Sequence, residues 1–223
     1  MILKRTLPLL IIAVIAAAGG LWAAQSLFPA LSPGTTTAAL PAVSSITLMS
    51  TPRVLPAFSL QQSDGTALTG EELQGHWTVV FIGFTHCPDI CPTTLAELNG
   101  AQKKWADLPE TTRPRVLFVS ADPERDTPKI TGDYAHAFNA DSLAATAPLP
   151  ELEAFTRSLS LVFSKVPTQV EPGTIRSATD YSIDHSAALV VLDPQARMAG
   201  VITPPFDAQA IAADLIALTK AIP

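Results

Sequence analysis

A chain of 223 residues has room for one domain of ordinary size and an appendage, and a hydrophobic share of 48% belongs to a globular protein rather than a disordered one. Acidic side chains outnumber basic ones 20 to 14 and the sequence pI is about 5.1. No basic field exists to attract phosphate backbones, so nucleic acid is not an expected partner.

Lys4 and Arg5 precede an uncharged run from Thr6 to Gln25 that carries Leu7, Leu9, Leu10, Ile11, Ile12, Val14, Ile15, Leu21 and Trp22. A transmembrane helix needs about 20 apolar residues and the apolar part of a cleaved signal about 7 to 15. The length therefore favours a retained anchor over residues 1–28. Ala16-Ala17-Ala18 has the form of a cleavage site, but apolar character continues through Trp22 and Ala24. Basic residues on the N-terminal side stay cytoplasmic, which puts the remainder on the outer face of the membrane. In a bacterium this is a single-pass protein of the inner (cytoplasmic) membrane with its soluble domain in the periplasm. Residues 29–54 are rich in Pro, Ala, Ser and Thr and read as a flexible linker, leaving residues 55–223 as the globular domain.

A hairpin is expected around Ser63-Asp64-Gly65. The apolar run Trp77 to Phe84 then reads as a central strand buried on both faces. Thr85-His86-Cys87-Pro88-Asp89-Ile90-Cys91-Pro92 follows at once, and Thr93 to Asp107 repeats Leu95, Leu98, Ala101 and Trp105 at helical spacing. The two cysteines thus fall at a strand-to-helix junction. Arg115 to Ser120 reads as a second buried strand. The loop Asp122-Pro123-Glu124-Arg125-Asp126 leads into a helix over Thr127 to Phe138. A helix over Pro150 to Leu159, a short strand over Leu161 to Val166, an apolar strand over Ala187 to Leu192, a turn at Asp193-Pro194 into Met198 to Ile202, and a final helix over Asp207 to Ala221 complete the pattern. Alternation of strands and helices implies an α/β sheet, whose sites lie at strand C-termini and helix N-termini.

With three residues between them, Cys87 and Cys91 lie on one helical face, one turn apart, and can converge on one small object. A helix N-terminus also favours the thiolate. Three roles compete: an inert disulfide, dithiol redox chemistry, and soft-metal binding. A bridge closing so short a loop removes little chain entropy, which weakens the first. The familiar redox spacing has two intervening residues, which weakens the second. Two thiolates select Cu(I) or zinc and leave room for further ligands. Spacing alone does not choose among the three. Of the histidines, His76 is expected at the surface or a strand edge, His136 in solvent on a helix, and His86 turned away from the neighbouring sulfur by extended-chain alternation. His185, just before the strand Ala187 to Leu192, lies at a strand edge facing a loop. Asp122 and Asp126 read as loop and helix caps. Asp184, beside His185, should point to the opposite face, which leaves a backbone carbonyl or water to orient the imidazole.

Phe84-Thr85-His86-Cys87-Pro88-Asp89-Ile90-Cys91-Pro92, Val119-Ser120-Ala121-Asp122-Pro123-Glu124-Arg125-Asp126-Thr127-Pro128 and Asp184-His185-Ser186 through Leu192-Asp193-Pro194 closely resemble the Sco (SenC) family, in the same order. The resemblance runs from about Pro56 to Phe206 and implies a thioredoxin-like fold with an N-terminal transmembrane helix. It further implies a copper site, for Cu(I) or Cu(II), made by Cys87, Cys91 and His185. The implied function is a copper metallochaperone that serves the binuclear copper site of cytochrome c oxidase subunit II or another extracytoplasmic copper acceptor. The alternative is a thiol-disulfide reductase of that site's cysteines, using Cys87 and Cys91 as the reactive pair. One departure is the turn Gln195-Ala196-Arg197, where a glycine is common.

Overall fold

Three apolar runs build the centre of the molecule. The structure, a computed structural model, describes residues 40–167 and 180–222. The strand β4 (Thr78–Gly83) is buried at every position and pairs in parallel with β5 (Arg115–Ser120), with Phe81 opposite Phe118. On its other side β4 runs antiparallel to β9 (Leu189–Leu192), with Val80 opposite Val190. Continuous β-branched and aromatic runs are what a strand covered on both faces requires. Trp77, Phe81, Trp105, Phe118 and Phe155 are the largest side chains in the core they define.

Around them an eight-stranded sheet forms in the order β1-β10-β9-β4-β5-β6-β2-β3. The flanking strands are β1 (Thr47–Arg53), β2 (Leu60–Gln62), β3 (Ala67–Leu68), β6 (Leu143–Thr146) and β10 (Met198–Ile202). The helices are α1 (Ile90–Trp105), α2 (Pro128–Phe138), α3 (Leu149–Ser158) and α4 (Ala208–Ala221). Two of them start on side-chain caps: Thr127 accepts from the Ile130 N–H and Asp207 from the Ala210 N–H. A two-stranded ribbon of β7 (Phe163–Pro167) and β8 (Tyr181–His185) stands outside the main sheet. The expected strand over Leu161 to Val166 thus exists but pairs in the ribbon, and β8 occupies a stretch expected as loop.

The largest difference from expectation is β1. Residues 47–53 were expected in the linker, yet they pair antiparallel with β10, so ordered sheet begins before residue 55. Mostly exposed or half-exposed side chains on an edge strand leave no apolar alternation to read. The expected membrane segment at residues 6–24 lies outside the described residues. Among those described, no helix is long and apolar enough to cross a membrane. At the family-variant turn, Ala196 has φ +56°, the left-handed region where glycine costs nothing. The Asp193 carboxylate accepts from the Gln195 and Arg197 N–H groups and holds that turn.

The strand β1 is entered through a clamp. The buried Asp214 carboxylate on α4 accepts from the backbone N–H groups of Ser44, Ser45 and Ile46 and from the Ser45 hydroxyl. Burial alone would raise its pKa, but the Ser45, Ser44 and Ile46 hydrogen bonds together outweigh burial and hold it below 3.8. A carboxyl depressed in the folded state adds stability that is whole above its unfolded value and fades as pH falls through the folded value. Asp214→Ala should therefore cost about 2–3 kcal/mol at neutral pH. The gap between variant and parent should close on acidification below the ordinary carboxylate range, and urea denaturation at both pH values checks this. An unchanged gap in acid would remove the charge from the explanation.

Candidate metal centre

The carboxyl end of β4 delivers the chain into a turn, Phe84 to Cys87, closed by the Cys87 N–H donating to the Phe84 carbonyl at 3.4 Å. Helix α1 then opens without a side-chain cap from Asp89. A sulfur stands in: the Cys91 N–H donates to Cys87 Sγ at 3.4 Å. The helical spacing thus brings the pair together as expected, and both thiols are free. Their surroundings differ. Cys91 is fully buried and Cys87 half-buried. Burial pushes the Cys91 thiol well above its usual range, against the expectation that the helix start would favour its thiolate.

The strand β8 brings an imidazole to the buried sulfur. His185 Nε2 lies 3.5 Å from Cys91 Sγ, and its ring meets Phe81 and Phe84 edge-on at centroid distances of 6.1 and 6.2 Å. His185 Nδ1 is 3.1 Å from the Ser186 carbonyl, which can only accept. The proton therefore sits on Nδ1 and the Nε2 lone pair faces the sulfur. A backbone carbonyl, not Asp184, orients the ring, as sequence alternation required. Two of the other histidines are elsewhere. His136 is exposed on α2. His76 corrects its expectation: it is buried, bonds the Arg113 carbonyl at 2.9 Å, and burial lowers its pKa.

Asp122 and Asp126 also do more than cap. Asp126 is completely buried and accepts from the Thr85 N–H at 2.8 Å, the Thr85 hydroxyl at 2.6 Å and the Ser120 hydroxyl at 2.5 Å. It fastens the cysteine turn to the end of β5. Asp122 accepts from Arg125 and, at 2.7 Å, from the Tyr181 hydroxyl at the start of β8. The Arg125 guanidinium lies 3.7 Å from the Tyr181 ring centroid and donates to the Tyr181 carbonyl. Lys165 Nζ is 3.8 Å from the same ring and pairs with Glu124. One acidic loop thus positions both the sulfur turn and the histidine strand. His86, Asp122 and Asp126 offer ligand atoms within 4.8 Å of one another, but these carboxylates are already taken up by the donors just named.

Two features were invisible in the sequence. Tyr134 on α2 buries a hydroxyl that has no partner among the described residues, and its pKa is pushed up to about 12 by burial and then by Cys91 and Cys87. Gly83, the last residue of β4, makes room for the buried sulfur: a Cβ there would stand 2.9 Å from Cys91 Sγ and 3.0 Å from the Phe118 ring. Such overpacking costs about 1–3 kcal/mol. Gly83→Ala should lower stability by that amount and weaken metal retention as well, because the sulfur is what must yield. Denaturation and metal titration on one preparation read both, and parental metal retention would show that the sulfur does not move.

The family model described as SCO1/SenC matches residues 47–220, nearly the whole described region. The chain belongs to the SCO1/SenC family. A Stutzerimonas stutzeri protein named for copper binding is 33% identical over 162 residues, 72% of this chain and 74% of that one. The mitochondrial SCO1 homolog 1 of Arabidopsis thaliana is 34% identical over 140 residues, 62% of this chain and 39% of that one. The chain thus spans well under half of that longer relative. The copper-bound structure of Bradyrhizobium japonicum ScoI superimposes with a TM-score of 0.64 at 29% identity, covering 74% of this chain and 99% of that one. The fold is thioredoxin-like, as the family resemblance implied. Family membership also gives meaning to the early start of the sheet, since the matched region includes β1.

Proposed function

We propose that this protein is a membrane-anchored copper metallochaperone that holds one copper through Cys87, Cys91 and His185 and hands it to an extracytoplasmic acceptor. The acceptor in view is the binuclear copper site of cytochrome c oxidase subunit II. The observation that carries the reading is one imidazole nitrogen 3.5 Å from the buried Cys91 sulfur, with the Cys91 N–H in turn bonding the sulfur of the other free cysteine. Two thiolates and one imidazole suit the soft, low-coordinate Cu(I) ion, and a further oxygen donor would suit Cu(II). Relatives whose structures hold copper support the choice of metal. The apolar run before residue 28 supports the anchor, and the two basic residues before it support a periplasmic domain.

One observation favours the reductase as a second reading. A half-buried Cys87 beside a buried Cys91 is the asymmetry of an attacking and a resolving thiol. There the Cys87 thiolate would displace one sulfur of an acceptor disulfide and Cys91 would release the acceptor, closing a Cys87–Cys91 disulfide as the acceptor gains two thiols. Metal analysis of the full-length protein separates the two. The reduced, anaerobic protein offered copper and zinc together should retain about one copper, and the oxidised protein almost none, because thiolates and not disulfide sulfurs are ligands. Equal retention in both states would remove the two-thiolate site.

A further inference from the structure

We infer that His86 is a relay ligand for copper at the surface, taking the ion through Nε2 and passing it to Cys87, outside the three-donor site proposed above. The inference rests on that copper-binding reading. It begins with one proton. The Thr85 hydroxyl donates to Asp126 Oδ1 at 2.6 Å, and a hydroxyl has only one hydrogen to give. The same oxygen lies 3.0 Å from His86 Nδ1 and must therefore accept from it. His86 is thus held as the Nδ1–H tautomer with its lone pair on Nε2, backed through Thr85 by a completely buried carboxylate.

This is the preset already found at His185, whose Nδ1–H is fixed by the Ser186 carbonyl. An imidazole whose second nitrogen is pinned to an oxygen is the usual condition of a metal-ligating histidine. What differs is exposure. The His86 side chain is 54% exposed, and among the described residues no hydrogen bond engages its Nε2. Its neighbour Cys87 is half-buried and Cys91 fully buried, so the donors are graded from solvent inward. Thr85 and His86 occupy the middle of the turn that ends on Cys87. The alternation of extended chain that would carry His86 away from the sulfur therefore does not apply, and the two Cα atoms are about 3.8 Å apart.

Cu(I) would move by ligand exchange, one donor bond forming as another breaks, with no change of oxidation state. A donor used only on the way in and out speeds loading and release by the same factor and leaves the equilibrium constant alone. The test uses the full-length reduced protein carrying one Cu(I), with bathocuproine disulfonate as the receiving chelator. His86→Leu should release Cu(I) about tenfold more slowly with its equilibrium affinity unchanged. His86→Met, which restores a soft donor of similar size, should recover most of the rate. Release by His86→Leu at the parental rate would overturn the relay while leaving the three-donor site standing. Equal slowing in the Leu and Met variants, or faster release with a matching loss of equilibrium affinity, would assign His86 to holding the turn and overturn the relay as well. A parent protein that retains no Cu(I) would overturn the copper-binding reading itself, and this one with it.

Discussion

Replacing His185 with alanine is expected to abolish firm copper retention while leaving the thiols competent. Changes to groups that merely orient a ligand cost about 10–100-fold in metal affinity, so loss of the ligand should cost at least that. The fold should notice little. His185 ends β8, its ring nitrogen Nδ1 bonds the Ser186 carbonyl, and the ring rests against Phe81 and Phe84, which stay buried in the core. Cys87 and Cys91 stand on the turn and helix after β4, elements that owe nothing to the imidazole. The variant should therefore still cycle between dithiol and disulfide and, if the proposed chaperone role holds, fail in oxidase assembly, with partial rescue by excess copper through mass action. A His185→Ala protein that binds copper like the parent and supports assembly, beside a Cys87→Ser protein that does neither, would establish the thiol reductase instead.

Asp126→Ala should have the largest effect on the fold. The carboxylate is completely buried and receives three donors, two from Thr85 and one from the buried Ser120. Each buried donor left without a partner costs about 1–3 kcal/mol, so the total should reach about 3–5 kcal/mol. That is a large part of the 5–15 kcal/mol, roughly, that holds an ordinary domain together. Asp126→Asn keeps one acceptor oxygen and should fall between variant and parent. Because Thr85 leads into the cysteine turn, copper retention should drop in the fraction that remains folded. Urea denaturation midpoints decide it: a loss below about 1 kcal/mol would mean that water replaces the carboxylate.

How much of this was legible in the sequence depended on how each element is buried. The strands β4, β5 and β9 stand buried at nearly every position, and such strands print themselves as unbroken apolar runs. The strands β1, β6 and β8 did not show. Residues 47–53 form an edge with exposed positions, β6 is four residues of Leu, Ala and Thr, and β8 alternates buried Tyr181 and Ile183 with polar neighbours over a single short stretch. Helical spacing was enough to place the two sulfurs together. His185 was different: it stands 94 positions after Cys91 in the sequence, its place at a strand edge set it apart only weakly from three other histidines, and the family resemblance made it a ligand candidate. Asp122 and Asp126 were visible as charges after an apolar strand, but no local pattern tells a loop cap from a carboxylate swallowed by the fold. Pairing with Thr85 and Tyr181 spans 41 and 59 residues, which periodicity cannot reach.

The placement of β8 in a ribbon of its own gives the two sulfurs and the His185 imidazole unequal mechanical footing. The sulfurs ride on a helix and turn rooted in the eight-stranded sheet, whereas the imidazole rides on a two-strand arm joined to the body through Tyr181 with Asp122 and Arg125, Lys165 with Glu124, and the buried Ile183. An arm secured at a few points opens at a fraction of the free energy needed to disturb a sheet. If the proposed site holds, tension on this ribbon would draw off the imidazole and leave the two sulfurs in register, so that copper could be let go without any loosening of the core.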